Sequence, residues 1–478
     1  FLCFLWGGCC GSCGLDCHPW DYQHPGLRPK VIPGKGWGLV TDTPIFAGEL
    51  LGRIPRECSI NLSTLKNHPP LQWLSRNMHK LQEEGLFPWN VTLPTSIGRQ
   101  LLSMSLLSFT HGDGLRYVDE KEKICLPLYI KSLPPRIPPV GSTWDPRQVA
   151  LVRGLYLGEL AKHVIADLDR MVKACEFLAR EREDWDIALC TRERVQEADV
   201  RHTSRNLIMG DISDANIQFA FFDLSNHEAR GSGYYSEYSR LGDFDLMAEF
   251  DVAENEELQF NYSPANDAAS KDGLLVNYGI VSPELGITLA ACVSSEMLLG
   301  PYFSHDKVFW KRMTEELGVE DTQNFCFNRK TVFKSTSILI RFLCLSEEDR
   351  ATVKVKDLEK GMTRRKELCA LTLMVSLLKR LHANLKANLK ESEQFPEHLQ
   401  AKNNVVTQGI QLRLKGVMVA INHLLRHMHK RTSGVKLLSV KSMPAHIREP
   451  LRKLQEGLFP PTPPPTPAPP PPPPAAQN

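Results

Sequence analysis

Apolar residues along the chain change their spacing several times, and each spacing predicts a different element. Over residues 34–51, short apolar runs alternate with glycine-rich turns, which predicts antiparallel strands. Residues from about 60 to 200 are mostly helical in pattern, and over 149–177 apolar side chains recur three or four positions apart. Strand-like runs return at 216–262. The first half of the chain is therefore expected to be a β region interrupted by helices.

Helical spacing dominates after about residue 285, most clearly over 365–385 and 405–429. From Phe459 onward, proline replaces nearly every packable side chain, which predicts an extended polyproline segment. Strands split by a helical insertion and followed by helices form an α+β architecture, here with an all-α C-terminal domain. The expected regions are a disordered Cys/Gly-rich segment at 1–29, the β domain at 30–284 with its insertion at about 62–215, the helical domain at 285–457 and a disordered Pro-rich tail at 458–478.

Composition narrows the class of protein. The chain has 57 Lys and Arg against 55 Asp and Glu, so no nucleic-acid partner is expected. No apolar run approaches the roughly 18 residues that span a bilayer, so no membrane partner is expected either. Most of the 13 cysteines are scattered singly, and we expect most of them to be reduced thiols in an intracellular protein. Chloroplast, cytoplasm and nucleus are not distinguished.

Two groups of residues have the spacing of metal ligands, but no metal site is predicted. The first group consists of Cys10, Cys13, Cys17 and His18. Its thiolates and imidazole suit zinc, but no second ligand pair follows at a usual spacing. The second group, His423 and His427, is surrounded by basic residues on a predicted helix, so a solvated basic face is the simpler interpretation.

The chain lacks the motifs of phosphate-binding loops, serine hydrolases and zinc proteases in their required context. Four short elements are the remaining candidates for chemistry. They are Gly34-Lys35-Gly36-Trp37-Gly38, Asn226-His227, the run Glu257 to Tyr262, and Tyr278-Gly279. Taken singly, each has a simpler interpretation, since glycines, Asn and His are typical of turns and strand-end tyrosines usually pack.

In this order, the elements resemble a SET domain, the fold of protein methyltransferases that use S-adenosylmethionine (AdoMet). The chain resembles more closely the Rubisco large-subunit lysine methyltransferase subfamily. That subfamily has a split SET domain with a helical insertion and a C-terminal helical substrate-binding domain. The insertion here contains Tyr129 to Pro134, Trp144 and Leu151 to Gly154, which are similar to a family stretch, and Ser204-Arg205 is similar to the element that ends it. The resemblance covers roughly residues 30–430.

The resemblance implies a cofactor site. Its residues are Gly36, Trp37, Arg205, Asp223, Asn226, His227 and Tyr262. The backbone around Gly36 and Trp37 would contact AdoMet, and Arg205 would pair with the AdoMet carboxylate. Asp223, Asn226 and His227 match a family D-x-x-N-H element, whose Asn and His would hold the adenine and amino-acid portions.

The resemblance also implies a methyl-transfer channel. Tyr262 aligns with a near-invariant tyrosine and Tyr278 with a second channel tyrosine, and these two are the candidate catalytic residues. Tyr234 or Tyr235 would be a third. A phenol can orient the accepting amine by hydrogen bonding, and a narrow apolar channel favours the neutral amine, so a general base is not required.

Some positions depart from the family pattern. Glu228 stands where serine is common, Asn255 where glycine is usual, and Ile280 where an aromatic is typical. Because of Ile280, the number of methyl groups transferred stays open, and so does activity itself.

Three functions are therefore kept. The first is an AdoMet-dependent protein-lysine N-methyltransferase acting on a non-histone protein, with the substrate bound by the SET cleft and the helical domain. The second is a catalytically silent SET-like scaffold that binds a partner through its helical domain and Pro-rich tail. The third is a protein-histidine N-methyltransferase, since the resemblance implies this reaction for one branch of the subfamily and the channel would then accept an imidazole. Neutral imidazole is abundant at pH 7, so this reaction should fall off less with decreasing pH than lysine methylation. A weak contact of the Pro-rich tail with an SH3 or WW-type module is a further option.

Overall fold

The computed structural model of the chain describes its helices and strands between Tyr22 and Thr432. The described residues are 22–33, 35–54, 59–61, 67–86, 93–118, 126–127, 129–131, 133, 137–152, 155–207, 217–219, 222–228, 234–238, 244–260, 262, 268–281, 289–294, 315, 324–328, 334–360 and 362–432. Residues 1–21 of the Cys/Gly-rich segment and the Pro-rich tail lie outside them, so the predictions made there remain predictions. The expectation of disorder up to residue 29 is wrong for residues 22–29, because strands begin at Tyr22 and Leu27. The chain divides into one unit of Phe1–Pro146 with Leu160–Val281 and another of Arg147–Glu159 with Ser282–Asn478.

The first unit contains the predicted short antiparallel strands. They are β1 (Tyr22–Gln23), β2 (Leu27–Ile32), β3 (Gly36–Thr41), β4 (Leu50–Ile54), β5 (Ser59–Ile60), β6 (Asn206–Leu207), β7 (Ile217–Phe219), β8 (Tyr234–Tyr238), β9 (Phe244–Ala248) and β10 (Glu257–Leu258). They form sheets in the orders β1-β4-β9-β8, β10-β3-β2 and β5-β7-β6. Strands from before and after the insertion thus pair with one another. A core that includes Leu39, Phe222 and Phe244 packs beneath them.

Helices fill the predicted insertion, whose residues Arg147–Glu159 belong to the second unit and whose other residues belong to the first. They are α1 (Pro69–Arg76), α2 (Met78–Glu83), α3 (Leu93–His111), α4 (Pro146–Leu151), α5 (Tyr156–Glu181) and α6 (Arg192–Thr203). The apolar faces of all these helices except α4 share a core that includes Leu106, Leu168 and Trp185. The helix expected over 149–177 is two helices, α4 and α5. Gly154 lies between them in the sequence, and glycine has low helix propensity.

The cysteines depart from the expectation of reduced thiols. Cys175 of α5 and Cys190 form a disulfide within the insertion core, and both are buried. Their separation of 15 residues gave no motif that would reveal the pair. The bond attaches the short helix at Ile187–Cys190 to α5. Cys344 and Cys369 are free and buried.

A neutral histidine is buried in the insertion core, and it makes stability depend on pH. His68 is 1% exposed, its ring lies 4.9 Å from that of Tyr117, and Nε2 lies 3.0 Å from Ser108 Oγ. Burial lowers the pKa of His68 from 6.5 to about 4. Below pH 6.5 the unfolded chain therefore takes up a proton that the folded chain does not.

We expect the free energy of unfolding to fall as pH drops from 6.5 towards 4, with His68 contributing about 3 kcal/mol. Urea unfolding at several pH values measures this. The His68→Gln variant should show a flatter pH dependence than the unsubstituted chain. The matched His163→Gln variant should not, because the His163 side chain is 68% exposed. If the unfolding free energy depended on pH equally in all three proteins, His68 would not be the source of the pH dependence.

The second unit is mainly helical. Its helices are α8 (Lys334–Leu343), α9 (Glu347–Thr352), α10 (Val355–Lys360), α11 (Arg364–Ser392) and α12 (Glu397–Thr432). The two long helices cover both segments whose periodicity predicted them, and they pack against each other. Asn388 Nδ2 of α11 donates to the main-chain oxygen of Leu151 at 2.6 Å, which attaches the stretch Arg147–Glu159 to this unit.

Two features of the second unit correct the sequence expectations. Strands β11 (Leu289–Ser294) and β12 (Asn324–Asn328) pair antiparallel, so the region is not all-α. Arg365–Ser392 includes a window long and apolar enough, by length and composition, to cross a membrane. Of that window, 65% is buried within the protein, and core helices pass the same test. The expectation that no segment is long and apolar enough to span a bilayer is therefore wrong for this one helix.

Candidate functional site

The hairpin formed by β2 and β3 is joined to the segment around Asn226 by the carboxylate of Glu257. Strand β3 pairs with β2 on one side and with β10 on the other, which brings Glu257 beside the hairpin. Glu257 Oε1 accepts a hydrogen bond from Asn226 Nδ2 at 2.7 Å, and the same amide donates to the main-chain oxygen of Trp37 at 3.2 Å. Lys35 Nζ lies 3.0 Å from Glu257 Oε2. Asn226 therefore fixes the hairpin tip against the segment that follows β7.

Two glycines of the hairpin are required for different reasons. Gly36 has φ +85°, a left-handed conformation that side chains other than glycine rarely adopt. At Gly38 a Cβ atom would lie 2.8 Å from both Asn226 Nδ2 and Glu257 Oε1, so the close approach of these groups excludes a side chain. Trp37 between them is 46% exposed, so its ring is not committed to the core. The tip thus presents solvent-exposed backbone at Gly36 and an exposed aromatic ring.

Residues 222–228 are held against Phe260 and Tyr262, which follow β10. Phe260 N donates to the main-chain oxygen of Asn226 at 2.9 Å, and Glu228 N donates to the main-chain oxygen of Phe260 at 3.2 Å. His227 bridges Phe260 in parallel register, and Tyr262 N donates to His227 Nδ1 at 3.1 Å. Burial lowers the pKa of His227, which keeps Nδ1 available as an acceptor. These main-chain bonds set where Tyr262 lies.

The two predicted channel tyrosines lie side by side. The Tyr262 hydroxyl donates to the main-chain oxygen of Ser225, and its ring centroid lies 4.9 Å from that of Tyr278. Tyr278 is the last residue of α7 (Ala268–Tyr278), and the His227 ring lies 5.3 Å from that of Tyr262. Burial raises the pKa of Tyr262 and of Tyr278. Both phenols are therefore protonated at neutral pH.

Arg205 has a protein partner, which the sequence did not reveal. Its Nη1 lies 2.6 Å from Oδ2 of Asp223, and the Tyr129 hydroxyl donates to the same oxygen at 3.0 Å. The Asp223 side chain is 3% exposed. Burial disfavours a charged guanidinium and is the largest single effect, but Asp223 together with Tyr129 and Tyr262 outweighs it, and the pKa of Arg205 is raised. The charge that the resemblance assigned to a cofactor carboxylate is thus already balanced within the protein.

A second ion pair, formed by Arg99 and Asp199 of the helical insertion, acts electrostatically on Tyr278. Arg99 Nη2 lies 2.9 Å from Asp199 Oδ2, and Ser103 Oγ donates to Asp199 Oδ1 at 3.1 Å. The positive charge of Arg99 opposes the rise in the Tyr278 pKa that burial causes. Arg99, Asp199 and Asn277 line a pocket with an empty volume of about 180 Å³. No sequence motif pointed to this pair.

The predicted site residues are brought together from five stretches of the chain. These are the hairpin tip with Gly36 and Trp37, Arg205 after α6, the segment with Asp223, Asn226 and His227, Tyr262 after β10, and Tyr278 at the end of α7. Tyr234 and Tyr235 lie in β8, opposite Ala248 and Met247, and their side chains are outside the described residues. Within the described ranges, no group of three or more His, Cys, Asp or Glu side chains is arranged to hold a metal ion.

Comparison with known proteins gives a structural match alone. No protein-family model matches the sequence, and no curated protein matches it. Among solved structures, the SET domain of LSMT bound to lysine and AdoHcy matches with a TM-score of 0.58 at 14% identity, over 87% of this chain and 90% of that one. Rubisco LSMT bound to AdoMet matches with a TM-score of 0.57 at 15% identity, over 85% and 89%. The chain therefore has the fold of a split SET domain followed by a mainly helical region.

Proposed function

We propose that the chain is an AdoMet-dependent protein-lysine N-methyltransferase acting on a non-histone protein. The observation that carries the proposal is the Tyr262–Tyr278 pair, with centroids 4.9 Å apart, beside a hairpin tip that Asn226 holds in place. The matched structures are described as bound to AdoMet, AdoHcy, lysine or monomethyllysine, which supports the same ligands here.

The residues of this chain fit AdoMet. The Gly36 backbone and the exposed Trp37 ring are open to a ligand, and the hydroxyl of buried Ser225 has no hydrogen-bond partner among the described residues. Asn226 and His227 would fix the main chain that borders the adenine and amino-acid portions. Arg205, balanced by Asp223, would offer its remaining N–H groups to the carboxylate.

AdoMet supplies an electrophilic methyl group on a sulfonium sulfur when it is bound. The protein then has to present a neutral amine in line with that methyl at about 3 Å. A free lysine amine has a pKa near 10.4, and an apolar aromatic channel shifts the balance towards the neutral form. The walls formed by Tyr262 and Tyr278 are suited to this.

Tyr262 orients the amine in this proposal and does not remove its proton. Its raised pKa makes the phenolate rare at neutral pH. Its hydrogen is donated to the Ser225 oxygen, so the lone pairs of its own oxygen are free to accept a hydrogen bond from the amine N–H. The proton that the lysine ammonium loses before transfer goes to solvent.

Calorimetric titration of the full chain with AdoMet tests the proposal. We expect micromolar binding in the unsubstituted chain and binding weakened about tenfold or more in Asn226→Ala, because the hairpin tip loses its tether. Asn77→Ala is the matched control, since the Asn77 amide also donates to a main-chain oxygen but lies in the helical insertion. Its affinity should be unchanged.

A labelled-methyl screen of cell extracts, followed by amino-acid analysis, then identifies the product. Methyllysine supports the proposal, and methylhistidine would indicate the histidine reaction instead. A folded chain that binds no AdoMet would indicate the silent scaffold, for which Ile280 at the channel end is the motivating observation. Protein substrate binding by the SET cleft and helical domain, and a weak SH3 or WW-type contact of the Pro-rich tail, remain proposals.

A further inference from the structure

The sulfur atoms of two cysteines in the second unit lie closer together than sulfur atoms in van der Waals contact. Cys344 directly follows α8, and Cys369 lies in the second turn of α11. Their Sγ atoms are 2.8 Å apart, against about 2.0 Å in a disulfide. Both residues are 4% exposed. The two sulfurs thus need only a small displacement to bond.

Ion pairs on both sides hold the two cysteines in register. Arg341 Nε, three residues before Cys344, lies 2.8 Å from Oε1 of Glu367. Lys366 Nζ lies 2.7 Å from Asp349 Oδ2. These contacts join the end of α8 and the start of α9 to the first turn of α11, so the sulfurs meet between elements that are already tied together.

Further hydrogen bonds fix the backbone around the two cysteines. Arg341 Nη1 donates to the main-chain oxygen of Leu358 at 2.8 Å, and Met362 N donates to Glu367 Oε1 at 2.8 Å. The main-chain N–H of Cys344 donates to the Ile340 oxygen at 3.2 Å. The backbone on each side of the sulfur pair is therefore fixed, and a disulfide requires little rearrangement of it.

The two thiols also influence each other. The hydrogen bond with Cys344 lowers the pKa of Cys369, and the hydrogen bond with Cys369, reinforced by burial, raises the pKa of Cys344. A thiolate is the nucleophile in thiol–disulfide exchange. Cys369 is thus the better nucleophile of the pair.

We propose that Cys344 and Cys369 form an intramolecular disulfide when the chain meets a low-molecular-weight disulfide such as oxidised glutathione. In the first step the Cys369 thiolate attacks one sulfur of the oxidant, a mixed disulfide forms, and one glutathione thiolate leaves. In the second step the Cys344 thiolate attacks the Cys369 sulfur and displaces the second glutathione. Two protein thiols are oxidised and one glutathione disulfide is reduced to two thiols.

The bond joins residues 25 positions apart and clamps α8 to α11. Because both thiols are buried, the reaction proceeds from a locally opened second unit, so oxidation is slow in the native chain. Once formed, the link restricts the unfolded chain, and the melting temperature should rise by several degrees. The second unit is thus predicted to be more stable in an oxidising compartment than in a reducing one.

Peptide mapping without reduction tests the proposal. The full chain is incubated with oxidised glutathione or with dithiothreitol, unfolded in the presence of iodoacetamide, and digested. We expect a peptide pair linked through Cys344 and Cys369 after oxidation, and both residues carbamidomethylated after reduction. Free thiols at both positions after oxidation would overturn the proposal, as would a glutathione adduct on one of them without the link.

The Cys344→Ala variant separates the link from general oxidation. Cys369 should then be carbamidomethylated or glutathionylated but not linked to position 344. The rise in melting temperature on oxidation should be smaller than in the unsubstituted chain, because only the contribution of the Cys175–Cys190 disulfide is left. Circular dichroism of the reduced variant checks that it is folded. An equal rise in melting temperature in the unsubstituted chain and in Cys344→Ala would overturn the predicted clamping of α8 to α11.

Discussion

Turnover of the Tyr262→Phe variant is expected to fall about tenfold or more, which corresponds to at least about 1.4 kcal/mol of transition-state stabilisation. The ring remains against Tyr278, but the oxygen that would orient the amine is gone. AdoMet affinity should be nearly unchanged, because the main-chain bond from Tyr262 N to His227 does not depend on the hydroxyl. Transfer of a labelled methyl group and calorimetry measure the two quantities.

Tyr117→Phe is the matched control, because that tyrosine lies in the helical insertion and its hydroxyl contacts Arg116. Its turnover should equal that of the unsubstituted chain. If Tyr262→Phe also retained full turnover, the phenol would have no part in methyl transfer. If its AdoMet affinity fell with its turnover, the hydroxyl would be holding the Ser225 main chain for the cofactor instead.

Asp223→Asn is expected to lower the free energy of unfolding by about 3 kcal/mol, even without AdoMet. The substitution keeps the size of the side chain but leaves Arg205 as a largely buried charge without its partner. It also removes the charge that accepts the Tyr129 hydrogen bond. Denaturant unfolding of the full chain, followed by tryptophan fluorescence, measures the loss.

Asp42→Asn is the matched control, because it breaks the more exposed pair between Arg28 and Asp42, whose side chains are 35% and 40% exposed. Such a pair contributes about 1 kcal/mol or less. The double variant Arg205→Met, Asp223→Leu should recover part of the stability, because no charge is then left buried. Equal losses for Asp223→Asn and Asp42→Asn would show that Arg205 is solvated rather than buried.

The local geometry of the β region could be predicted from the sequence because the determinants are local. Glycine spacing around Gly36 predicted the hairpin, and the structure gives Gly36 a left-handed φ of +85°. Asparagine tolerates the same conformation, and Asn255, which stands where glycine is usual, has φ 63°. The proximity of Tyr262 and Tyr278 was expected from the resemblance, and their rings are in contact.

The contacts that were missed all join residues far apart in sequence. Arg205 was assigned to a cofactor carboxylate from the resemblance, and its pairing with Asp223 was not predicted. One signal was present, since an acid within the apolar run Phe221 to Leu224 is a buried carboxylate that needs a cation. The pairs Cys175–Cys190 and Cys344–Cys369, by contrast, have no spacing motif, and only the packing of their helices brings them together.

The hairpin and its carboxylate partner have a consequence for synthesis of the chain. Lys35 and Glu257 are 222 residues apart, so β3 emerges from the ribosome long before β10 can pair with it. At roughly 5–20 residues per second, the open edge of β3 waits on the order of ten seconds or more. During that time it is a template for wrong pairing with other chains. A nascent chain that stalls before Glu257 therefore cannot form the contacts of Glu257 with Asn226 and Lys35, and it displays one open edge of β3 to which chaperones can bind.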